Sequence, residues 1–262
     1  FSSARGALSA YLQVNNIRQG DTVLLSSFTC LAVPTAVIAS GASPIYVDIN
    51  PLTLNMNLED LIKQVKANTK AIVVQHTMGR TIDDMNGIIK FASERNILVI
   101  EDCALSLGTK NSDVGIGFLG DAAIYSLELS KTLSAGWGGV LLNNNNELRE
   151  PLEAFYKTLN YESLFTRFRK LIQIITTGIF YNKYLYFFGK YIVALGYKAS
   201  FFKGSTPHEE YEGRVSSDFI SKLGLTQSLF TNTQFKRLEV ISKTNNRNFL
   251  YIQESLKNNG FF

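Results

Sequence analysis

Only two cysteines, Cys30 and Cys103, occur in 262 residues, which is too few for a disulfide framework. They lie far apart without metal-ligand spacing, so no zinc or other metal site is expected, and a reducing, cytoplasmic setting is the natural one. Strong charge is missing too. The 26 basic and 22 acidic residues leave a formal +4, too little to argue for a nucleic-acid partner, though anionic small substrates remain open. Long apolar runs are also absent. Within the Phe- and Tyr-rich stretch 171–197, Lys183 and Lys190 interrupt the pattern, and the longest uncharged run, Leu171 to Asn182, falls short of the ~18 residues of a membrane span. Membrane contact is therefore not expected. The opening Phe1-Ser2-Ser3 carries no initiator methionine and no charged-then-apolar leader. The sequence stops directly after a helical pattern, so a fragment lacking parts at both ends is expected. What remains, 45% hydrophobic and 18% charged, describes a globular chain with one large α/β domain and part of a second.

Periodicity alternates between strand and helix. Helix is predicted over 4–16, an apolar strand over Thr22–Ser27, helix from Leu31 to Ser40 ending at Gly41, and a strand over Pro44–Ile49. Asn57 reads as a cap for a helix to Lys66 with Glu59 and Asp60 in its first turn, and Asp83 or Asp84 for a helix to Arg95. Strands at Ala71–Gln75 and Ile97–Asp102 separate these, followed by Ala122–Leu127 and Gly139–Leu142. The order predicts a three-layer α/β domain with a mostly parallel sheet flanked by helices over 1–150. An aromatic helical insertion over 151–215, packed on the main domain or a partner chain, and a truncated helical start of a small domain over 216–262 complete the reading.

The chemistry-bearing residues sit where such a sheet places ligands, outside the carboxyl ends of its strands. Asp102 closes one strand, Ser126 closes another, and Lys131 follows in the loop before Gly136-Trp137-Gly138-Gly139. A lysine amine condenses with an aldehyde, and a buried aspartate holds a pyridine nitrogen protonated. Together they point to pyridoxal 5′-phosphate. Read singly, each is ordinary: a surface lysine, a strand-end turn former, a locally bonded serine. His76, at a strand end, reads either as a residue approaching the active site or, in preference, as a structural histidine at a sheet edge, and Trp137 as either substrate platform or packing.

Ser3-Ala4-Arg5-Gly6-Ala7-Leu8, Ser27-Phe28-Thr29-Cys30, Gly41-Ala42-Ser43-Pro44 running into Val47-Asp48, Thr69-Lys70-Ala71-Ile72, Ile100-Glu101-Asp102-Cys103-Ala104, Leu119-Gly120-Asp121-Ala122-Ala123, and Ser126 with Lys131 follow one another along nearly the whole chain. In this order they resemble the DegT/DnrJ/StrS-type aminotransferases. The resemblance implies the large domain of a fold type I pyridoxal-phosphate transferase, with its C-terminal small domain largely missing. It implies that Lys131 anchors the cofactor and later moves the proton, that Asp102 pairs with the ring nitrogen, that the backbone of Ala4 and Arg5 at a helix start and the Ser126 hydroxyl bind the phosphate, and that Cys30 meets the ring. It further implies an amino-acid donor, with glutamate foremost, a nucleotide-linked keto-sugar acceptor, ping-pong kinetics, and a homodimer to which 171–202 contributes. Dehydratases of the family carry histidine at the lysine position, so Lys131 argues against that branch. Three positions depart from the common pattern. Cys30 replaces an aromatic ring, Leu105 replaces Gln or His and supplies no hydrogen bond, and Glu212 replaces an asparagine in Glu212-Gly213-Arg214-Val215-Ser216, where a carboxylate would repel phosphate. These departures keep open an inactive relative that acts as a binding partner in polysaccharide assembly.

Overall fold

A computed structural model describes the chain except for residues 112–113, 205, 207, 213, 216–218 and 261–262. Helix α1 (Ala4–Val14) leads into β1 (Thr22–Ser26), α2 (Ala32–Ser40), β2 (Ser43–Val47), α3 (Leu58–Gln64), β3 (Thr69–Gln75), α4 (Met85–Ser93) and β4 (Leu98–Asp102). A short hairpin, β5 (Lys110–Asn111) and β6 (Val114–Gly115), precedes β7 (Ala122–Ser126) and β8 (Gly139–Asn143). The caps named from sequence do their work locally. Asn57 accepts from the Asp60 N–H at 3.0 Å and Asp84 from the Gly87 N–H at 2.9 Å, each satisfying one of the first-turn donors that a helix leaves without a partner.

The main sheet has six strands in the order β2-β1-β3-β4-β7-β8, parallel except for the β7–β8 pair. Alternation along the buried strands feeds two cores. Val23, Leu25, Val73 and Ile100 face α1 and α2, whereas Leu24, Ile72, Val74 and Val99 face α3 and α4. That is the predicted three-layer arrangement, with strands apolar on both faces because helices cover both. Strand order reverses between β1 and β3, where the loops leaving the strands part and open a crevice.

Beyond the sheet, α5 (Arg149–Thr158) packs on α1, and α6 (Leu164–Phe180) and α7 (Tyr186–Lys198) form an antiparallel hairpin. The single-turn α8 (His208–Tyr211), α9 (Leu225–Phe235) and α10 (Leu238–Asn258) follow. Among the described residues, no helix is long and apolar enough to cross a membrane.

Candidate active site

The crevice holds a cavity of about 160 Å³ whose wall includes Ala4, Arg5, Cys30, Asp102, Ser126 and Lys131. All six residues nominated from the sequence thus come together, from four separate segments of chain. A second cavity of about 240 Å³ adjoins it and shares Cys30, Asp102, Ala104 and Lys131. Cys30, Asp102 and Lys131 therefore stand where the two meet.

Asp102 ends β4, which is buried in the middle of the sheet, and its carboxyl is only 5% exposed. Its Oδ1 accepts the Ala104 N–H at 3.0 Å. Burial holds the carboxyl above the ordinary carboxylate range, and the Ala104 hydrogen bond with the nearby Lys131 ammonium offsets only part of that. A cation placed against it would be strongly favoured. Lys131 lies one turn past β7 in a loop folded by its own N–H donating to the Glu128 carbonyl at 3.0 Å. Glu128, which the sequence reading passed over, shares the cavity wall, and its Oε2 takes the Ser130 N–H at 3.0 Å and hydroxyl at 2.5 Å. That turn fixes the direction from which Lys131 enters. Ser126 Oγ accepts the Glu128 N–H at 3.4 Å, leaving the hydroxyl proton to point elsewhere.

Opposite them, α1 begins at the cavity. Ser3 is its N-cap, with Oγ accepting the Gly6 N–H at 3.1 Å, and the first-turn N–H groups of an α-helix have no acceptor within the helix. The positive end of the helix therefore faces the cavity. This helix start is held hard against the sheet. Gly139 at the head of β8 exchanges hydrogen bonds with Phe1 at 2.9 and 3.0 Å, and a β-carbon there would overlap the Ala4 nitrogen and the Ser3 carbonyl. Gly6 lies as close to the Phe219 carbonyl, which a β-carbon would meet at 2.7 Å. The Arg5 guanidinium pairs with Glu210.

Cys30 is exposed on the loop after β1, and that loop is tied to β3 by the Thr29 hydroxyl donating to Gln75 Oε1 at 2.7 Å. Leu105 lies on the wall of the second cavity. Trp137 is 7% exposed, lines the first cavity, and has the Lys170 ammonium 5.4 Å from its ring centre, so it is both wall and packing. Glu212 forms an ion pair with Arg214 and is not part of the cavity wall; Gly213 and Ser216 of that motif lie outside the described residues.

His76 follows β3, an interior strand, so its expected place at a sheet edge is corrected. It is fully engaged: Nε2 lies 2.9 Å from Glu101 Oε2 and Nδ1 accepts the Ile82 N–H at 3.4 Å. Glu101, adjacent to Asp102 but on the other face of β4, also accepts the N–H groups of Gly117, Leu119 and Gly120 at 2.7–2.9 Å. Burial alone would raise its carboxyl, but the His76 and backbone donors outweigh it and hold it below the usual range. Cys103 joins His76 and Glu101 in a buried cluster, and burial pushes its thiol up. The Glu101 oxygens are already saturated with N–H donors, so the cluster is a structural bolt rather than an open metal site. A carboxylate inside an otherwise apolar strand was the signal for it.

The family model for the DegT/DnrJ/EryC1/StrS aminotransferases matches residues 1–170. The chain belongs to the DegT/DnrJ/EryC1/StrS aminotransferase family. It is 37% identical over 145 residues to a pleiotropic regulatory protein of Geobacillus stearothermophilus, covering 55% of this chain and 39% of that one. It is 35% identical over 147 residues to a GDP-perosamine synthase of Escherichia coli O157:H7, covering 56% and 40%. The chain thus spans about two fifths of these curated relatives. In fold it superposes on a DegT DnrJ EryC1 StrS aminotransferase from Brucella abortus with a TM-score of 0.69 at 24% identity, over 98% of this chain and 58% of that one. The six-stranded, mostly parallel sheet is therefore the fold of that aminotransferase.

Proposed function

We propose that the protein is a pyridoxal-phosphate-dependent transaminase that moves an amino group from an amino acid, glutamate foremost, to a keto group of a nucleotide-linked sugar. The observation that carries this reading is the convergence of Lys131, Asp102, Ser126 and the start of α1 on one cavity. The donor set fits the cofactor. A helix start and a serine hydroxyl suit a phosphate dianion, a buried carboxylate suits a protonated ring nitrogen, and a lysine between them suits an aldehyde. When bound, the cofactor supplies an electron sink for the carbanion left by proton removal. Asp102 would hold the ring nitrogen protonated, and Lys131 Nζ would be the amine that holds the aldehyde and the base that moves the proton. Similarity to a GDP-perosamine synthase supports a nucleotide-linked sugar as acceptor, and the homodimer is what the family resemblance implies. Free thiols at Cys30 and Cys103 accord with the cytoplasm. The inactive-partner alternative is not favoured, since Lys131 and Asp102 face the same cavity.

The deciding experiment is to incubate the full-length protein with pyridoxal phosphate, reduce with borohydride, and map the modified lysine by peptide mass spectrometry. A phosphopyridoxyl group confined to Lys131, and lost in Lys131→Ala, is the expected result. A folded protein that acquires no adduct defeats the transaminase reading.

A further inference from the structure

The α6–α7 hairpin wears its apolar side chains outward. Phe168, Ile175 and Ile179 recur along one stripe of α6, and Phe188, Tyr191 and Leu195 along one stripe of α7, each at three-, four- or seven-residue spacing. A stripe of this kind normally faces a core, yet Phe188 and Leu195 are 64% and 66% exposed. The inner side is polar and closed. Gln173 is 1% exposed, donates to the Tyr197 hydroxyl at 3.0 Å and to the Lys203 carbonyl at 3.1 Å, and accepts the Lys203 N–H at 3.0 Å. Gly189 of α7 sits against the Phe180 ring at the end of α6, and Gly196 against Phe202 just beyond α7, so the inner side of the hairpin is filled at both places. The outward stripes therefore have no room to turn in on each other.

Charge identifies what covers them. Residues 163–208 hold seven of the chain's 26 basic residues and none of its 22 acidic ones; Lys170 is buried against Glu162 and Arg169 is held by the carbonyls of Ser200 and Phe201, so the charge these helices turn outward is that of Lys183, Lys190 and Lys198. Among the described residues no carboxylate pairs with Lys183, Lys190 or Lys198. Lys183 lies 4.8 Å from the Tyr184 ring centre, and Lys190 lies 4.8 and 5.0 Å from those of Phe187 and Tyr191. Cations interleaved with exposed aromatics match a lipid headgroup boundary, where rings enter the acyl edge and ammonium groups meet phosphates. A second copy fits poorly, because an isologous contact would set two positive faces together, and interface cores are depleted in lysine. We propose that this hairpin docks the protein on an anionic membrane surface, lying in the interface without crossing it. This goes beyond the transaminase reading, does not depend on it, and departs from the sequence-based expectations of no membrane contact and of a dimer contact through 171–202.

The test is flotation of the full-length protein with phosphatidylcholine vesicles, with and without phosphatidylglycerol, at low and raised salt. Wild type is expected to float with the anionic vesicles only, and less as salt rises. Both Lys183→Glu/Lys190→Glu and Phe188→Ser/Leu195→Ser are expected to lower binding at least about tenfold, since each cation near the headgroups and each inserted apolar side chain contributes separately. These side chains touch little of the core, so circular dichroism and thermal unfolding stay at wild-type values. Wild type that fails to float at low salt overturns the proposal. So does floating that neither double variant reduces. A Phe188→Ser/Leu195→Ser protein that instead loses oligomeric mass in sedimentation, with no vesicle binding by wild type, assigns the face to a second copy and equally overturns it.

Discussion

Alanine at position 139 perturbs the candidate site through a single contact. Gly139 does not have a left-handed backbone, so alanine is conformationally admissible and on its own would stabilise the fold slightly through the unfolded chain. The steric effect runs the other way. A β-carbon would stand well inside 3.0 Å of the Ala4 nitrogen and the Ser3 carbonyl, and neither is a side-chain tip that can swing aside. The start of α1 must retreat by roughly 1 Å to restore van der Waals separation. Overpacking of this kind costs about 1–3 kcal/mol of stability. A positioning group displaced by that distance costs on the order of a hundredfold in function. Titrating cofactor into wild type and Gly139→Ala, with reduced Lys131 adduct as the readout, and comparing urea midpoints separates the two effects. The expected result is a loss of about 1–3 kcal/mol in stability with a far larger proportional loss in cofactor affinity. Cofactor binding within twofold of wild type would refute the assignment of the α1 start as the phosphate-binding turn.

Two further substitutions divide the adjacent carboxylates of β4 by role. Asp102→Asn is expected to lower transamination on the order of a hundredfold or more while stabilising the cofactor-free protein at neutral pH. The sign follows from burial: the folded carboxyl titrates above its unfolded value of 3.8, so its ionisation disfavours folding, and that penalty appears as pH rises from the unfolded value through the folded one. Thermal unfolding of the cofactor-free pair across that range checks it, and an Asn variant that is less stable than wild type at pH 7 contradicts it. Glu101→Gln is expected to lose about 3 kcal/mol at neutral pH, because an amide cannot accept from an imidazole and three backbone N–H groups at once. Here the folded carboxyl titrates below its unfolded 4.5, so the stabilisation is complete above the unfolded value and is lost as pH falls through the folded one. Urea unfolding at neutral and acidic pH should therefore show wild type and Glu101→Gln converging in acid.

Much of this molecule could be read before it was seen, and the reasons are local. Asn57 and Asp84 cap because their side chains reach their own backbone three residues on, which needs no tertiary information. Asp102, Ser126 and Lys131 were placed together because strand carboxyl ends share one edge of a parallel sheet, so counting strands was enough. Glu128 was missed because its part is to shape a turn, and turn geometry hangs on which hydroxyl and N–H it meets. His76 was misplaced because strand order depends on crossovers: β3 lies third in sequence but inside the sheet. The outward stripes of α6 and α7 were the least legible, since a helical apolar period looks the same whether it faces a core or a lipid.

The hairpin and the cavity are mechanically one object at their junction. Ile174 fills the space against Gly136, where a β-carbon could not stand, and Lys170 lies over Trp137 while pairing with Glu162 at 2.7 Å. Gly136 and Gly138, with φ of 83° and 142°, let Trp137 turn between them into the cavity wall. Any force that shifts α6 is therefore delivered to the wall facing Lys131 before it reaches the sheet, which is buried and close-packed on both faces. If a bilayer holds the outer stripes, the part of the site it bears on first is the Trp137 wall. The strand ends carrying Asp102 and Ser126 stay fixed by the core.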